Sequence, residues 1–408
     1  MRILHTADWH LGGTLNGWTR DAEHRQWLGD LADVIEDEAV DVMLVAGDVY
    51  DGINPSGEAQ RLLYDALAHC RRRNPDLTII IASGNHDPAG RLEAPEAILR
   101  GMGCHVIGTM SRIDGELDHE KHLIPLRDRS GVIRGHVLAI PFLRASDLPG
   151  MLFLRDEDHL SPVAQAAHRF HHELVAEILP LAGGMPLIAM GHLHCMAGEE
   201  SVDSERRILL GGEHAVPASI FPEEIAYVAL GHLHKPQSLD GGRIRYSGSI
   251  FPKSATEADY RHGVTIIDII DGEISHRHHP MPRPAEFIRI PERGQAEIGD
   301  LEQLMDEAVR LGADLPVELR PFVHVTLAAT GPAAVIRAEA ERIIANLPVR
   351  LAALRILRDH VDEEIGIPAK SLAEISVDEL FARAFLKVNG TEPEARHVAA
   401  FSEIAGTI

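Results

Sequence analysis

Five short apolar runs in this 408-residue chain end on the same kind of chemistry. Residues 3–6 lead into Asp8-Trp9-His10, residues 42–46 into Gly47-Asp48-Val49-Tyr50-Asp51, and residues 77–82 into Gly84-Asn85-His86-Asp87. Residues 186–190 and 225–230 each lead into Gly-His-Leu-His, at His192/His194 and at His232/His234. Apolar runs this short read as strands buried on both faces. Between the first three lie stretches with helical spacing. Residues 19–39 carry Trp27, Leu28, Leu31, Val34 and Ile35, and residues 56–73 carry Leu62, Leu63, Ala66, Leu67 and Cys70. This βαβαβ order predicts a parallel sheet with covering helices, an α/β core. Further strands are expected at 136–140, 186–190, 225–230, 244–247 and 264–270, with a long helix over about 161–179.

At this length the chain suggests two or three domains. The α/β core is expected to occupy residues 1–280. Met281-Pro282-Arg283-Pro284 reads as a linker. Residues 281–360 then alternate extended and helical patterns, as in a small α+β domain. Residues 361–408 read as a helical tail. Ser376-Val377-Asp378-Glu379 and Thr391-Glu392-Pro393-Glu394 fit the capping box, and Gly390 stands where the first helix should stop. Val377, Leu380, Phe381, Phe385 and Val388 form one apolar stripe there, and Val398, Phe401 and Ile404 another. Helices this short are marginal alone, so a partner surface is expected under them; packing back on their own chain is the alternative.

Composition bounds the function. Hydrophobic residues make up 45%, enough to bury sizeable cores. Cys70, Cys104 and Cys195 are odd in number and scattered, which reads as reduced thiols in a cytoplasm. No segment begins the chain as a signal region or has the length to span a bilayer. The net charge of −23 speaks against a protein that coats nucleic acid. It leaves room for an enzyme that grips phosphates through metals and a local basic patch.

Ligand sites in open α/β sheets gather at the carboxyl ends of strands. Those ends here offer carboxylate, amide oxygen or imidazole, nearly always beside a glycine that lets the backbone approach closely. One Asp-x-His triplet arises by chance, whereas five such ends in strand register point to a metal site. Asp8, His10, Asp48, Asn85, His192, His232 and His234 suit two divalent ions about 4 Å apart that share Asp48. A hydroxide held between them could attack phosphorus in line while both ions neutralise the developing charge.

These motifs resemble the calcineurin-like metallophosphoesterases. In detail the sequence is similar to the SbcD branch, the nuclease subunits of bacterial SbcCD complexes and relatives of the archaeal and eukaryotic double-strand-break repair nuclease. The likeness rests on the first ten residues after Arg2, on Ala46 to Asp51 with Pro55, on Gly84 to Asp87, on Ala229 to His234 and on Tyr246-Ser247-Gly248-Ser249. It covers the core to about residue 280 closely and the later part in size and order. The resemblance implies a layered β-sandwich with flanking helices, and manganese-dependent cleavage of DNA, exonucleolytic at ends and endonucleolytic on hairpins or single strands, in DNA repair, recombination and replication. It implies that Asp8, His10, Asp48 and His234 hold one ion, that Asp48, Asn85, His192 and His232 hold the other, and that His86 protonates the leaving sugar oxygen. Asp51 and Asp87 read as acceptors of hydrogen bonds that orient imidazoles, with a surface-loop role as the alternative. The small domain would cap the DNA, the tail would bind an SbcC-like coiled-coil ATPase, and the chain would act as a homodimer within a heterotetramer.

Two features depart from that pattern. His194 and Cys195 follow His192 where the family needs only the Gly-His pair; they are expected beside the site or near DNA phosphates and as a packed thiol, respectively. His159, His168, His171 and His172 are expected to be core or solvated. Two rival readings stand: an enzyme acting on a small phosphoester, and a non-enzymatic scaffold on the same fold. The residues beyond 280 argue against the first, and the filled ligand positions against the second.

Overall fold

The computed structural model describes residues 1–148, 162–196, 198–200 and 215–358, with single positions at 385, 393 and 397. The tail's capping boxes and apolar stripes, and His159, lie outside the described residues apart from Phe385 and Pro393. Residues 1–357 form one compact unit and residues 358–408 a second.

The first unit is built around two six-stranded sheets. One runs, in spatial order, Glu273–Pro280, Gly263–Ile270, Arg2–Thr6, Val42–Ala46, Thr78–Ala82 and Cys104–Ile107. The last four strands are parallel, and Gly263–Ile270 joins Arg2–Thr6 antiparallel. The other sheet runs Gln237–Leu239, Ile244–Tyr246, Ile225–Gly231, Leu187–His192, Ile133–Ala139 and Leu123–Arg127. Alternation along the strands explains why two faces must be covered. Ile3, Val42, Leu44, Ile80, Val137, Ile188, Tyr227 and Ala229 pack between the sheets. Leu4, Met43, Val45, Ile79 and Ile81 face the opposite way, onto Trp27, Leu31, Leu63 and Leu67 of the helices Asp21–Asp37 and Gly57–Arg73. The second sheet is covered in turn by Phe170, Leu174 and Ile178 of the helix Pro162–Ile178. The result is a four-layer helix–sheet–sheet–helix stack, so the β-sandwich core with flanking helices stands.

The helix Gly57–Arg73 starts where its cap dictates: the Ser56 side chain accepts from the Ala59 N–H at 3.1 Å. The strands Cys104–Ile107, Leu123–Arg127 and Glu273–Pro280 had no sequence expectation. Glu273–Pro280 is an edge strand of sequence EISHRHHP with alternating exposure, so its polar face hides the pattern.

Residues 287–357 form a three-stranded parallel sheet, Phe287–Ile290, Phe322–Ala328 and Arg350–Leu357, packed on the helices Leu301–Leu304, Asp306–Gly312 and Ala333–Ile344. The stretch expected as a linker is tied down. The Met281 N–H donates to His262 O at 3.1 Å, and the Arg283 guanidinium donates to Tyr260 O. A second junction is buried: Arg350, with no exposed surface, pairs with Glu23 at 3.0 Å and stacks 3.8 Å from the Phe322 ring centroid. Glu23 is equally buried and also pairs with Arg20, so one carboxylate offsets two guanidiniums out of water.

Candidate metal centre

The seven expected ligands meet at one edge of the sandwich, where strands of both sheets end. Asp8, His10, Asp48, His192, His232 and His234 are each at most 5% exposed. Three overlapping groups have ligand atoms within 4.8 Å of one another: Asp8, His10 and His234; Asp8, Asp48 and His192; His10, Asp48 and His86. Asn85 joins the second, its Oδ1 2.9 Å from His192 Nε2. His232 lies against His192, with ring centroids 5.5 Å apart.

The backbone that presents these groups is contorted. Asp8, His10, Asp48 and His232 all have positive φ, at 54°, 49°, 49° and 104°. Left-handed backbone at non-glycine residues costs of order 1–3 kcal/mol each and persists where surroundings enforce it. Here the turns lock one another: Asp8 N–H donates to Gly47 O at 3.0 Å, His10 N–H to Asp48 O at 2.9 Å, and the His232 N–H to the Asp8 carboxylate at 3.0 Å. The flanking glycines are a matter of space. A Cβ on Gly84 would overlap Asp48, one on Gly47 would overlap the His192 ring, and one on Gly231 would overlap Ala46 O.

Hydrogen bonds aim the imidazoles. His192 Nδ1 lies 2.9 Å from Ala46 O, and His86 Nδ1 lies 2.8 Å from Asp51 O. A carbonyl only accepts, so Nδ1 carries the proton in both and Nε2 faces the centre. His10 is aimed by position: its Nδ1 lies 3.3 Å from the Asp51 carboxylate and its Nε2 3.7 Å from Asp48. Neither His10 nitrogen has a well-aligned hydrogen-bond partner among the described residues, although the ring is buried.

The electrostatics have the same cause. Burial first, with Asp48 nearby, pushes the Asp8 carboxyl up to about 7. Burial would lower the His192 imidazolium, but Asp48 and Asp8 overcome it and raise it to about 9. Burial opposes ionisation of Asp51 too, yet His10 and the Lys253 ammonium hold it below the usual carboxylate range. Protons held on carboxylate and imidazole in a buried pocket mark places where a cation can substitute for them. With the orphaned His10 nitrogens and the mixed imidazole and oxygen donors, this donor set fits divalent metal ions.

Some sequence expectations need correction. Asp87 orients no imidazole among the described residues; its carboxylate accepts the backbone N–H groups of Val49, Tyr50 and Gly84 at 3.2, 2.8 and 2.7 Å. It therefore braces two of the strand-end turns. His86 stands beside the expected ligands, in a group with His10 and Asp48. His194 is turned toward Glu200, 3.0 Å away, and belongs to none of the three groups. Cys195 is buried, and burial pushes its thiol up to about 12. His171 is buried, while His168 and His172 stack on one another at 3.9 Å. Glu257 and Lys253 were missed. Glu257 accepts from His234 Nδ1 at 2.8 Å, and Lys253 pairs with Asp51 at 2.7 Å. Neither carries a spacing signal, because both sit in a loop remote in sequence from the groups they touch.

Residues 1–236 match the family described as calcineurin-like phosphoesterase, and residues 283–389 match the one described as type 5 capsule protein repressor C-terminal domain. The chain belongs to the calcineurin-like phosphoesterases. Within that family, it is 52% identical to the SbcD subunit of the nuclease SbcCD of Rhodobacter capsulatus, over 94% of each chain. The Bacillus subtilis protein of the same name is 36% identical over 67% of each chain. The Escherichia coli K12 one is 27% identical over 94% of this chain and 92% of its own. A calcineurin-like phosphoesterase of the SbcD type is a hydrolase of phosphodiester bonds that uses divalent metal, and the buried donor set described above is where this chain can hold it.

Proposed function

We propose that this SbcD-type phosphoesterase cleaves DNA at ends, hairpins and single strands with two manganese ions, as the nuclease subunit of an SbcCD-type repair complex. The observation that carries the reading is the convergence of Asp8, His10, Asp48, Asn85, His192, His232 and His234 on one buried edge. Asp8, His10, Asp48 and His234 would hold one ion, and Asp48, Asn85, His192 and His232 the other. When bound, such ions polarise the phosphoryl oxygens and lower the pKa of water. The chain's own residues do the rest. His86, its Nδ1 committed to Asp51 O, can hold a proton at Nε2 for the departing oxygen. Asp51 keeps the His10 ring in place, and Asp87 keeps the turns that carry Asp48 and Asn85.

We place the DNA along a groove of about 400 Å³ between the small sheet and the loop that begins at Lys253. Its lining includes Lys253, Arg289, His324 and Arg355 beside Glu292, with Lys253 and Arg289 paired to Asp51 and Asp259, and Arg355 is the cation we place toward a phosphate backbone. Residues 281–360 would thus serve as the DNA-capping domain, and 361–408 as the seat of the SbcC-like ATPase within a dimer-based heterotetramer. Three buried free cysteines suit work in the cytoplasm. The test is cleavage of linear and hairpin DNA against a chromogenic phosphodiester, with manganese and then with EDTA. Metal-dependent DNA cleavage is expected; turnover of the small ester with intact DNA would establish the rival small-phosphoester reading.

A further inference from the structure

The loop between Phe251 and Asp259 is wired to two imidazoles of the metal centre, His234 directly and His10 through Asp51. Its Glu257 has no exposed surface. One carboxylate oxygen accepts from His234 Nδ1 at 2.8 Å, and the other accepts from the backbone N–H of Lys253 at 2.8 Å. The Lys253 ammonium reaches Asp51 at 2.7 Å, and Asp51 touches His10. His10 and His234 share a ligand group with Asp8. The same loop also carries the small sheet: Arg289 of the strand Phe287–Ile290 donates to Ala255 O at 3.3 Å and pairs with Asp259. A buried carboxylate on His234 Nδ1 is placed to fix the tautomer and angle of that ring, while its other oxygen holds the loop backbone at Lys253.

We infer that Glu257 is a positioning residue for His234, and that the loop 251–259 sets the geometry of the ion held by Asp8, His10 and His234. This rests on the metal-centre reading. A carboxylate on Nδ1 forces Nε2 to face the ligand cluster and makes the ring a stronger donor. Glutamine is isosteric but cannot accept from both His234 and the Lys253 N–H, since one of its two atoms is an amide nitrogen. Aspartate keeps the charge and falls short in reach.

The experiment uses the full chain, stripped of metal and titrated with manganese alone. Wild type is expected to take up two ions. Glu257→Gln should weaken one of the two by about tenfold to a hundredfold and leave the other within about twofold, with the metal-free Tm little changed. On a chromogenic phosphodiester the variant should lose kcat at nearly constant KM. Glu257→Asp should recover part of the affinity, which a residue that only packs would not show. It also keeps the test open if the glutamine variant fails to fold. Unchanged manganese affinity in both variants, or affinity lost from both ions alike, overturns the inference. A wild type that takes up no manganese at all overturns instead the metal-centre reading beneath it.

Discussion

At the scale of single residues, the doubled Gly-His-Leu-His is unequal in its surroundings. His192 faces Asp48 and Asn85, whereas His194 faces Glu200. His192→Ala is therefore expected to lose one ion and nearly all turnover, and His194→Ala to keep two ions and a substantial part of the activity. Metal content by elemental analysis beside turnover decides it; loss of an ion from the His194 variant would make the two copies equivalent. His86 poses the sharper question, because its Nε2 lies 3.8 Å from Asp48. His86→Ala should retain both ions, seen by anomalous scattering, and lose DNA cleavage for want of a proton donor. If an ion leaves with the activity, His86 is a ligand. Metal uptake should also depend on pH in a fixed direction. Asp8 at about 7 and His192 at about 9 must give up their protons to bind metal, so affinity should rise from pH 6 to 9. Calorimetry in two buffers of different ionisation enthalpy would read the released protons, and uptake without proton release would contradict these protonation states.

At the scale of elements, most of the candidate ligands stand in turns past the strand ends, while His192 closes the strand Leu187–His192 itself. Gly84→Ala tests one such turn. The added methyl must displace Asp48 or its backbone, while the strands Val42–Ala46 and Thr78–Ala82 keep their buried faces. Metal affinity and turnover should fall at least tenfold, with a loss of only a few degrees in Tm. A variant that keeps full metal affinity would show that the turn relaxes. The strand ends were legible in the sequence because buried strands are short, apolar and punctuated by glycine. The elements missed were those whose pattern is diluted: Glu273–Pro280 exposes one polar face, and the turn Ala255–Glu257 has no periodicity at all. Glu257 was invisible for that reason, since a buried carboxylate in a short turn reads as a solvated one until its partners are seen.

At the scale of the whole molecule, the nuclease core and the small sheet form one compact unit, joined through Arg350, Glu23 and the loop around Arg289. The segment from 358 onward is a separate unit. Deleting residues 371–408 should therefore leave manganese-dependent cleavage intact and abolish association with the ATPase partner. Co-elution of the truncated chain with that partner would refute the tail's proposed role. No helix among the described residues is long and apolar enough to cross a membrane.

The sequence by itself determined the α/β layering and named the candidate donor set. Both follow from local rules: strand alternation, helical spacing, and polar residues placed where strands stop. The tertiary structure decided which neighbours aim those ligands. It put Asp87 under two backbone turns instead of an imidazole, Glu257 behind His234, and Glu200 beside His194. Those pairings join residues between 3 and 38 positions apart, and they exist only once the strand ends and loops stand side by side. A hydrogen bond depends on distance and direction in space, and neither is written in the spacing of residues along a chain.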